Sequence, residues 1–303
     1  MSATPDVSVV IVSWNTRELT TACLASLPAA AGSLAWDAWV IDNASTDGSV
    51  EAIRDGFPHV RVVANRANAG FAAANNQGIV ASRGRYVLLL NSDTVAQPGS
   101  IAALVAFADA RPRAGVVGPR LENPDGSFQT GPTPFPSLWN ELLSVTGIGR
   151  RLTCRGYPSR TAAASRDAQS TDYVVGACML ARRTAIDAVG GLDERYFMYS
   201  EEPDWCWRMR AAGWETWYTP EAVVTHFGGQ STRQVREAML VALYRSKVRF
   251  FRLHRGPVSA ACLTAGFMAV SRLRRLVRAA LRLDPPGLAL RRADLWNDPP
   301  PAA

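Results

Sequence analysis

The chain has 303 residues, 48% of them hydrophobic and 19% charged; that is ample core for one large domain or two small ones, and it excludes a disordered or fibrous protein. The net charge of +7 sits in the last quarter, where residues 231–303 hold 14 Arg and Lys against 4 Asp and Glu. Five cysteines show no CxxC pair or zinc-finger spacing, and Met1 leads directly into the apolar run "VSVVIVS", so the expectation is a cytoplasmic protein with reduced thiols and no signal peptide.

Short apolar runs at Val7–Ser13, Ala38–Asp42, Val60–Ala64, Tyr86–Leu90 and Gly115–Gly118 read as strands. Helical stretches separate them at Arg17–Leu27, Ser49–Arg54, Phe71–Ser82 and Gly99–Ala110. This alternation predicts an α/β fold with a mostly parallel central sheet covered by helices on both faces. Such sheets bind ligands beyond the carboxyl ends of their strands. Ser13, Asp42 and Asn91–Asp93 lie at those ends.

Residues 121–169 are rich in Pro, Gly, Ser and Arg and read as loops with short helices. The run "DYVVGACMLARR" returns as a strand, Thr184–Val189 as a short helix and Glu201–Ala212 as another, followed by strands at "WETWYT" and "AVVTHF". A longer helix is expected from Ser231 to His254, broken by Gly256–Pro257, and a second from Val258 to Leu283. The Pro-rich final residues read as a poorly ordered tail. The expected division is a catalytic domain over 1–230 and a basic helical extension over 231–303. The uncharged stretch Val258–Ser271 is about 14 residues, short of the roughly 20 that span a bilayer. With the basic "RLRRLVRAALR" after it, the extension predicts an interfacial helix on an anionic membrane surface; the competing reading is an amphipathic helix packed on the main domain or a partner. A basic segment also suits nucleic acid, but no recognised reading module is present, so no nucleic-acid partner is expected.

The polar residues at the strand ends carry the chemistry. Asp42 is placed to accept the imide N–H of uracil or thymine, and Asp47 to brace the turn after it. Asp93, in "LLLNSDT", is placed to hold Mg²⁺ or Mn²⁺ bridging a diphosphate. His226 ends a strand and can complete the metal shell. Glu201, Glu202 and Asp204 open a helix, with Ser200 as expected N-cap; the helix dipole favours their ionised forms, as a general base needs. Asp204 has a structural role of its own, an i,i+4 pair with Arg208. Taken singly, each of these residues also fits a turn, cap or surface role.

As an ordered set, "VSVVIVSWN", "VIDNASTDGS", "NAGFAAANNQGI", "LLLNSDT", "GACMLARRTAIDAVGGLDERYFMYSEEPDWCWRMRAAGW" and "HFGGQST" resemble the bacterial family-2 glycosyltransferases of the rhamnosyltransferase type over about residues 5–255. The resemblance implies a GT-A-type fold, a nucleotide-diphosphate sugar donor, a divalent metal and inversion at the anomeric carbon. Residue by residue, it implies Asp42 as the base-reading acid, Gly70 near the nucleotide, Asp93 as the last acid of the DxD element, His226 as the later metal ligand and Glu202 as catalytic base. Ser13 and Asn91 join the nucleotide-binding candidates. Two departures stand out: the DxD element reads Asn91-Ser92-Asp93, and Glu202 stands where Asp is usual. Glu201 and Asp204 therefore remain alternatives for the base. The expected donor is dTDP-L-rhamnose and the expected acceptor a lipid-linked or surface polysaccharide, used at the inner membrane face. A UDP-hexose donor, or a catalytically silent sugar-nucleotide or membrane-binding protein, is the alternative.

Overall fold

A computed structural model of the chain describes residues 4–146, 166–230, 235–280 and 290–296. Strand β1 (Val7–Ser13) runs through the middle of one parallel block. Val7, Val9 and Ile11 pack into one hydrophobic layer and Val10 into the other, as the two-residue period of a strand requires. With helices on both faces, the strand is a nearly continuous apolar run. β2 (Trp36–Asp42) and β4 (Tyr86–Asn91) flank it in parallel, and β3 (Arg61–Ala64) extends the block beyond β2. Helices α1 (Arg17–Ala31), α2 (Ser49–Gly56) and α3 (Phe71–Ala81) make the connections. Cys23, Leu24 and Leu27 of α1 and Ile53 of α2 cover one face. Ala72, Ala74 and Ile79 of α3 cover the other.

The rest of the sheet departs from the expected direction. After β5 (Thr94–Ala96) and α4 (Ser100–Asp109), β6 (Ala114–Glu122) does not pair with β4. β9 (Cys178–Arg182) inserts between them, antiparallel to both. β10 (Glu215–His226) then lies parallel to β6, and β5 closes the far edge antiparallel to β10. The sheet is therefore mixed rather than mostly parallel. The physical reason is the route of the chain. It leaves β6 through β7 (Phe128–Thr130), α5 (Leu138–Thr146) and β8 (Gln169–Thr171) instead of a single crossover helix, and so it re-enters from the opposite end. Part of the stretch expected as loops, residues 147–165, lies outside the described residues.

Two short helices follow β9 in the chain, α6 (Arg183–Val189) and α7 (Glu201–Ala211). The C-terminal helices are α8 (Arg236–His254), α9 (Pro257–Ala280) and α10 (Arg292–Trp296). Gly256, at φ +86°, ends α8, and Pro257 opens α9, the position where its missing N–H costs nothing. Phe250 and Phe251 of α8, with Leu263 and Phe267 of α9, are fully buried on the same side of the sheet as Val10. The tail expected to be poorly ordered holds one docked turn of helix: Leu295 is buried, and Trp296 Nε1 donates to Thr264 Oγ1 at 3.0 Å. Residues 281–289 and 297–303 of the tail, and the expected helix start at 231–234, lie outside the described residues. Among those described, no helix is long and apolar enough to cross a membrane.

Candidate active site

A cleft of about 240 Å³ opens where β1 and β4 end, and Gly70, Asn91, Asp93, Glu201, Glu202 and His226 all line it. Three of the expected site residues stand apart. Ser13 is fully buried, with its hydroxyl 3.1 Å from Thr20 Oγ1 and 3.4 Å from Thr16 Oγ1. Asp42 is buried behind Asn43, which does reach the cleft. Its Oδ2 accepts the Ser45 N–H at 2.8 Å, while Oδ1 has no partner. Asp47 braces the turn as expected, accepting the Arg17 N–H at 2.9 Å. Asp204 does not line the cleft.

Sheet register brings the two proposed metal ligands together. His226 pairs with Thr94 across the antiparallel β10–β5 ladder, and the Phe227 N–H donates to the Asp93 carbonyl at 2.9 Å. His226 Nε2 thereby comes to 3.3 Å from Asp93 Oδ1. Adjacent ligands on an octahedral ion with bonds of about 2.1 Å lie roughly 3 Å apart, so the pair fits a small divalent cation.

The tautomer of the ring fits as well. Gln129, on β7, donates from Nε2 to the Asn123 Oδ1 and to the His226 carbonyl, each at 2.9 Å. Its Oε1 is thus turned to His226 Nδ1, 2.7 Å away. An amide oxygen there places the ring proton on Nδ1 and leaves the Nε2 lone pair facing Asp93, the outer-shell support a ligating histidine needs. Among the described residues, no third His, Cys, Asp or Glu joins this pair. The open positions suit diphosphate oxygens and water. Sequence reading missed Gln129 because it sits 97 residues from His226, in a stretch that carries only a loop signature.

The acids are presented by a strained turn. Tyr199 and Ser200 adopt φ values of 69° and 67° immediately before α7, a region that costs a non-glycine residue roughly 1–3 kcal/mol. Ser200 makes no side-chain capping bond, contrary to expectation, because this left-handed backbone is not that of an N-cap. The preceding segment is clamped to α3, where Phe71 N–H donates to the Phe197 carbonyl at 2.7 Å. Gly70, at φ +85°, is required there: a Cβ would stand 2.5 Å from the Phe197 oxygen.

Glu201 is 3% exposed. Burial, and then the charge of Glu202, push its carboxyl well above the usual range of a glutamate. Glu202 is also raised by burial, but its own N–H and those of Gly176 and Ser200 oppose the shift. Of the two, Glu201 resists ionisation more strongly, so a single negative charge shared by the pair favours Glu202. The dipole of α7 assists ionisation without cancelling the cost of burial. Asp204 has a different fate. It is 2% exposed and pairs with Arg208 Nε at 2.8 Å, as expected, and with His254 Nε2 at 2.7 Å. Its charge fastens α7 to α8.

Among the described residues, nine buried side-chain atoms lack a hydrogen-bond partner, and five of them belong to expected site residues: Asp42 Oδ1, Asn91 Oδ1, Glu201 Oε2, Glu202 Oε2 and His226 Nε2. An orphaned buried polar atom costs about 1–3 kcal/mol, so the four that belong to residues lining the cleft, all but that of Asp42, mark it as built for a ligand.

The raised carboxyl of Glu201 gives a stability prediction with a definite sign. A carboxyl whose folded pKa lies above its unfolded value contributes stability below the unfolded value and loses it as pH rises through the folded one. Glu201→Gln removes that loss. The variant is expected to exceed wild type by on the order of 1–3 kcal/mol near pH 8, a few degrees in Tm, and to match it near pH 4. Thermal melts at the two pH values test this; an advantage that grows on acidification would reverse the assignment.

The mixed sheet with a cleft at its strand ends is the GT-A architecture shared by the solved structures below. Residues 8–190 match the model of the family described as Glycosyl transferase family 2, and the chain belongs to that family. It is 35% identical over 225 residues to an N-acetylglucosaminyl-diphospho-decaprenol L-rhamnosyltransferase of Mycobacterium tuberculosis, covering 69% of this chain and 72% of the relative. A hexosyltransferase of low-salt glycan biosynthesis from Haloferax volcanii is 24% identical, with 68% and 62% covered. Among solved structures, the fold is shared with a mannosyltransferase of Pyrobaculum calidifontis in complex with GDP-mannose and Mn²⁺, at a TM-score of 0.54 and 16% identity over 94% of this chain and 83% of that one. It is shared also with TarS of S. aureus, at a TM-score of 0.52 and 14% identity over 91% and 87%. The family resemblance legible in the motifs is thus borne out.

Proposed function

We propose that the protein transfers L-rhamnose from dTDP-L-rhamnose, with inversion, to N-acetylglucosamine on a lipid-linked diphosphate at the cytoplasmic face of the membrane. The observation that carries the chemistry is Glu202, a buried carboxyl with an unpartnered oxygen, in the same cleft as Asp93 and His226. The name of the mycobacterial relative supports the sugar and the acceptor. Asp42 Oδ1, buried and unpartnered, supports a base with an imide N–H, a feature of thymine and uracil alike.

Asp93 and His226 would hold Mg²⁺ or Mn²⁺, which when bound supplies positive charge against the departing diphosphate. Gln129 keeps His226 in the ligating tautomer. Glu202 accepts the proton of the acceptor hydroxyl as that oxygen attacks the anomeric carbon from the face opposite the diphosphate. Glu201 stays protonated and keeps a second negative charge out of the cleft. Gly70 allows the Phe197 segment to close against α3.

The test is turnover of a donor panel (dTDP-L-rhamnose, UDP-glucose, UDP-galactose and GDP-mannose) by the full chain. Mn²⁺ or Mg²⁺ and a synthetic GlcNAc-diphosphate lipid are supplied, and the product anomer is assigned by NMR. The expected result is product from dTDP-L-rhamnose with inverted configuration. Preference for a UDP-hexose would overturn the donor, a retained anomer would overturn the mechanism, and donor binding without product would leave a silent binding protein.

A further inference from the structure

We propose that the outer face of α9 is a membrane-docking surface that lies in the headgroup region of an anionic bilayer. Ala260, Leu263, Thr264 and Phe267 face the core and are buried. On the opposite side of the helix, Val258, Cys262, Ala265, Ala269, Leu273 and Leu276 recur at spacings of three and four residues, and all are exposed. The helix therefore presents an apolar stripe to solvent where a surface helix normally places charge. The exposures are large for such side chains: Val258 75%, Leu273 60% and Leu276 69%. From Val258 to Leu276 the stripe runs roughly 27 Å along the helix axis.

Two further observations select the occupant. α9 contains no Asp or Glu, and the exposed Arg272 and Arg275 flank the stripe on one side. Trp139, 70% exposed, projects from α5, the helix packed against α9. An apolar stripe, bordering arginines and a protruding Trp are the elements of a helix that lies in the plane of an interface. The buried residues on its other face and the absence of any crossing helix among the described residues rule out insertion of α9 as a span. This surface explains the basic C-terminal quarter and stands independently of which sugar is transferred.

The experiment uses the full chain, since deleting α9 would strip Leu263 and Phe267 from the core. Co-sedimentation is measured with vesicles of phosphatidylcholine alone and of phosphatidylcholine with 30% phosphatidylglycerol, for wild type and for Leu273→Glu/Leu276→Glu and Arg272→Gln/Arg275→Gln. Wild type is expected to bind the anionic vesicles, the Leu pair variant to bind at least about tenfold more weakly, and the Arg pair variant to bind more weakly and with less salt dependence. Both sites are exposed, so melting temperature and donor hydrolysis should be unchanged in each variant. Wild-type binding that survives Leu273→Glu/Leu276→Glu overturns the proposal. So does a failure of wild type to bind vesicles, including the case where sedimentation equilibrium shows the same substitutions dissolving a dimer, which would assign the stripe to a second copy of the chain.

Discussion

Glu202→Gln is expected to lower kcat by about 10²–10⁴ while leaving donor affinity near wild type. The substitution keeps shape and hydrogen-bonding length but removes the charge that the backbone N–H groups of Gly176, Ser200 and Glu202 sustain. Glu202→Asp should keep partial activity, with the carboxylate withdrawn by one methylene. The comparison that decides is kcat at saturating donor for Gln variants at 201, 202 and 204. Asp204→Gln should act mainly on stability, since its carboxylate is committed to Arg208 and His254. Because the Glu202 carboxyl is raised, the acidic limb of the wild-type kcat profile should fall at a higher pH than the 4.5 of an ordinary Glu. A dead Asp204→Gln beside an active Glu202→Gln would move the base to Asp204.

Asp93→Ala is expected to abolish measurable turnover and to uncouple nucleotide binding from metal. With the carboxylate gone, His226 alone faces the open positions, and one neutral ligand holds a hard cation poorly. Gln129→Leu gives the graded counterpart: both ligands remain, but nothing fixes the ring proton on Nδ1. Loss of an outer-shell partner typically weakens metal binding about 10–100-fold. Calorimetric titration of Mn²⁺ with dTDP present measures both, without reference to turnover. Metal affinity in Asp93→Ala equal to wild type would remove Asp93 from the site.

The first half of the fold was legible because buried parallel strands are short continuous apolar runs. Val7–Ser13 and Tyr86–Leu90 could be read almost to the residue. The direction of β9 and the existence of β5 were not legible, because the β4–β9 and β5–β10 pairings join residues about a hundred or more positions apart, which no local pattern encodes. The acids and His226 could be found from their places at element ends. Gln129 and His254 could not, since their meaning lies entirely in what they touch. Ser13 illustrates the opposite error. A hydroxyl at a strand end resembles a ligand contact, yet Ser13 shares the parity of Val7, Val9 and Ile11, and that parity already directs it into the protein.

The fastening of α7 to α8 bears on what counts as one folding unit. The family model matches only to residue 190, ahead of Glu202 and His226, so the length of that match does not mark the end of the folding unit. A fragment ending at residue 230 would carry all the proposed catalytic groups. It would still lose His254 from Asp204, Lys247 from Glu141 and Ser246 from the Met198 carbonyl. Separating buried Glu141 from the Lys247 cation costs about 3–5 kcal/mol, against a typical whole-protein stability of about 5–15 kcal/mol, while Asp204 would keep Arg208 and lose one hydrogen-bond partner. The contacts of α8 thus tie it into the catalytic part, and a fragment ending at residue 230 is expected to melt below the full chain.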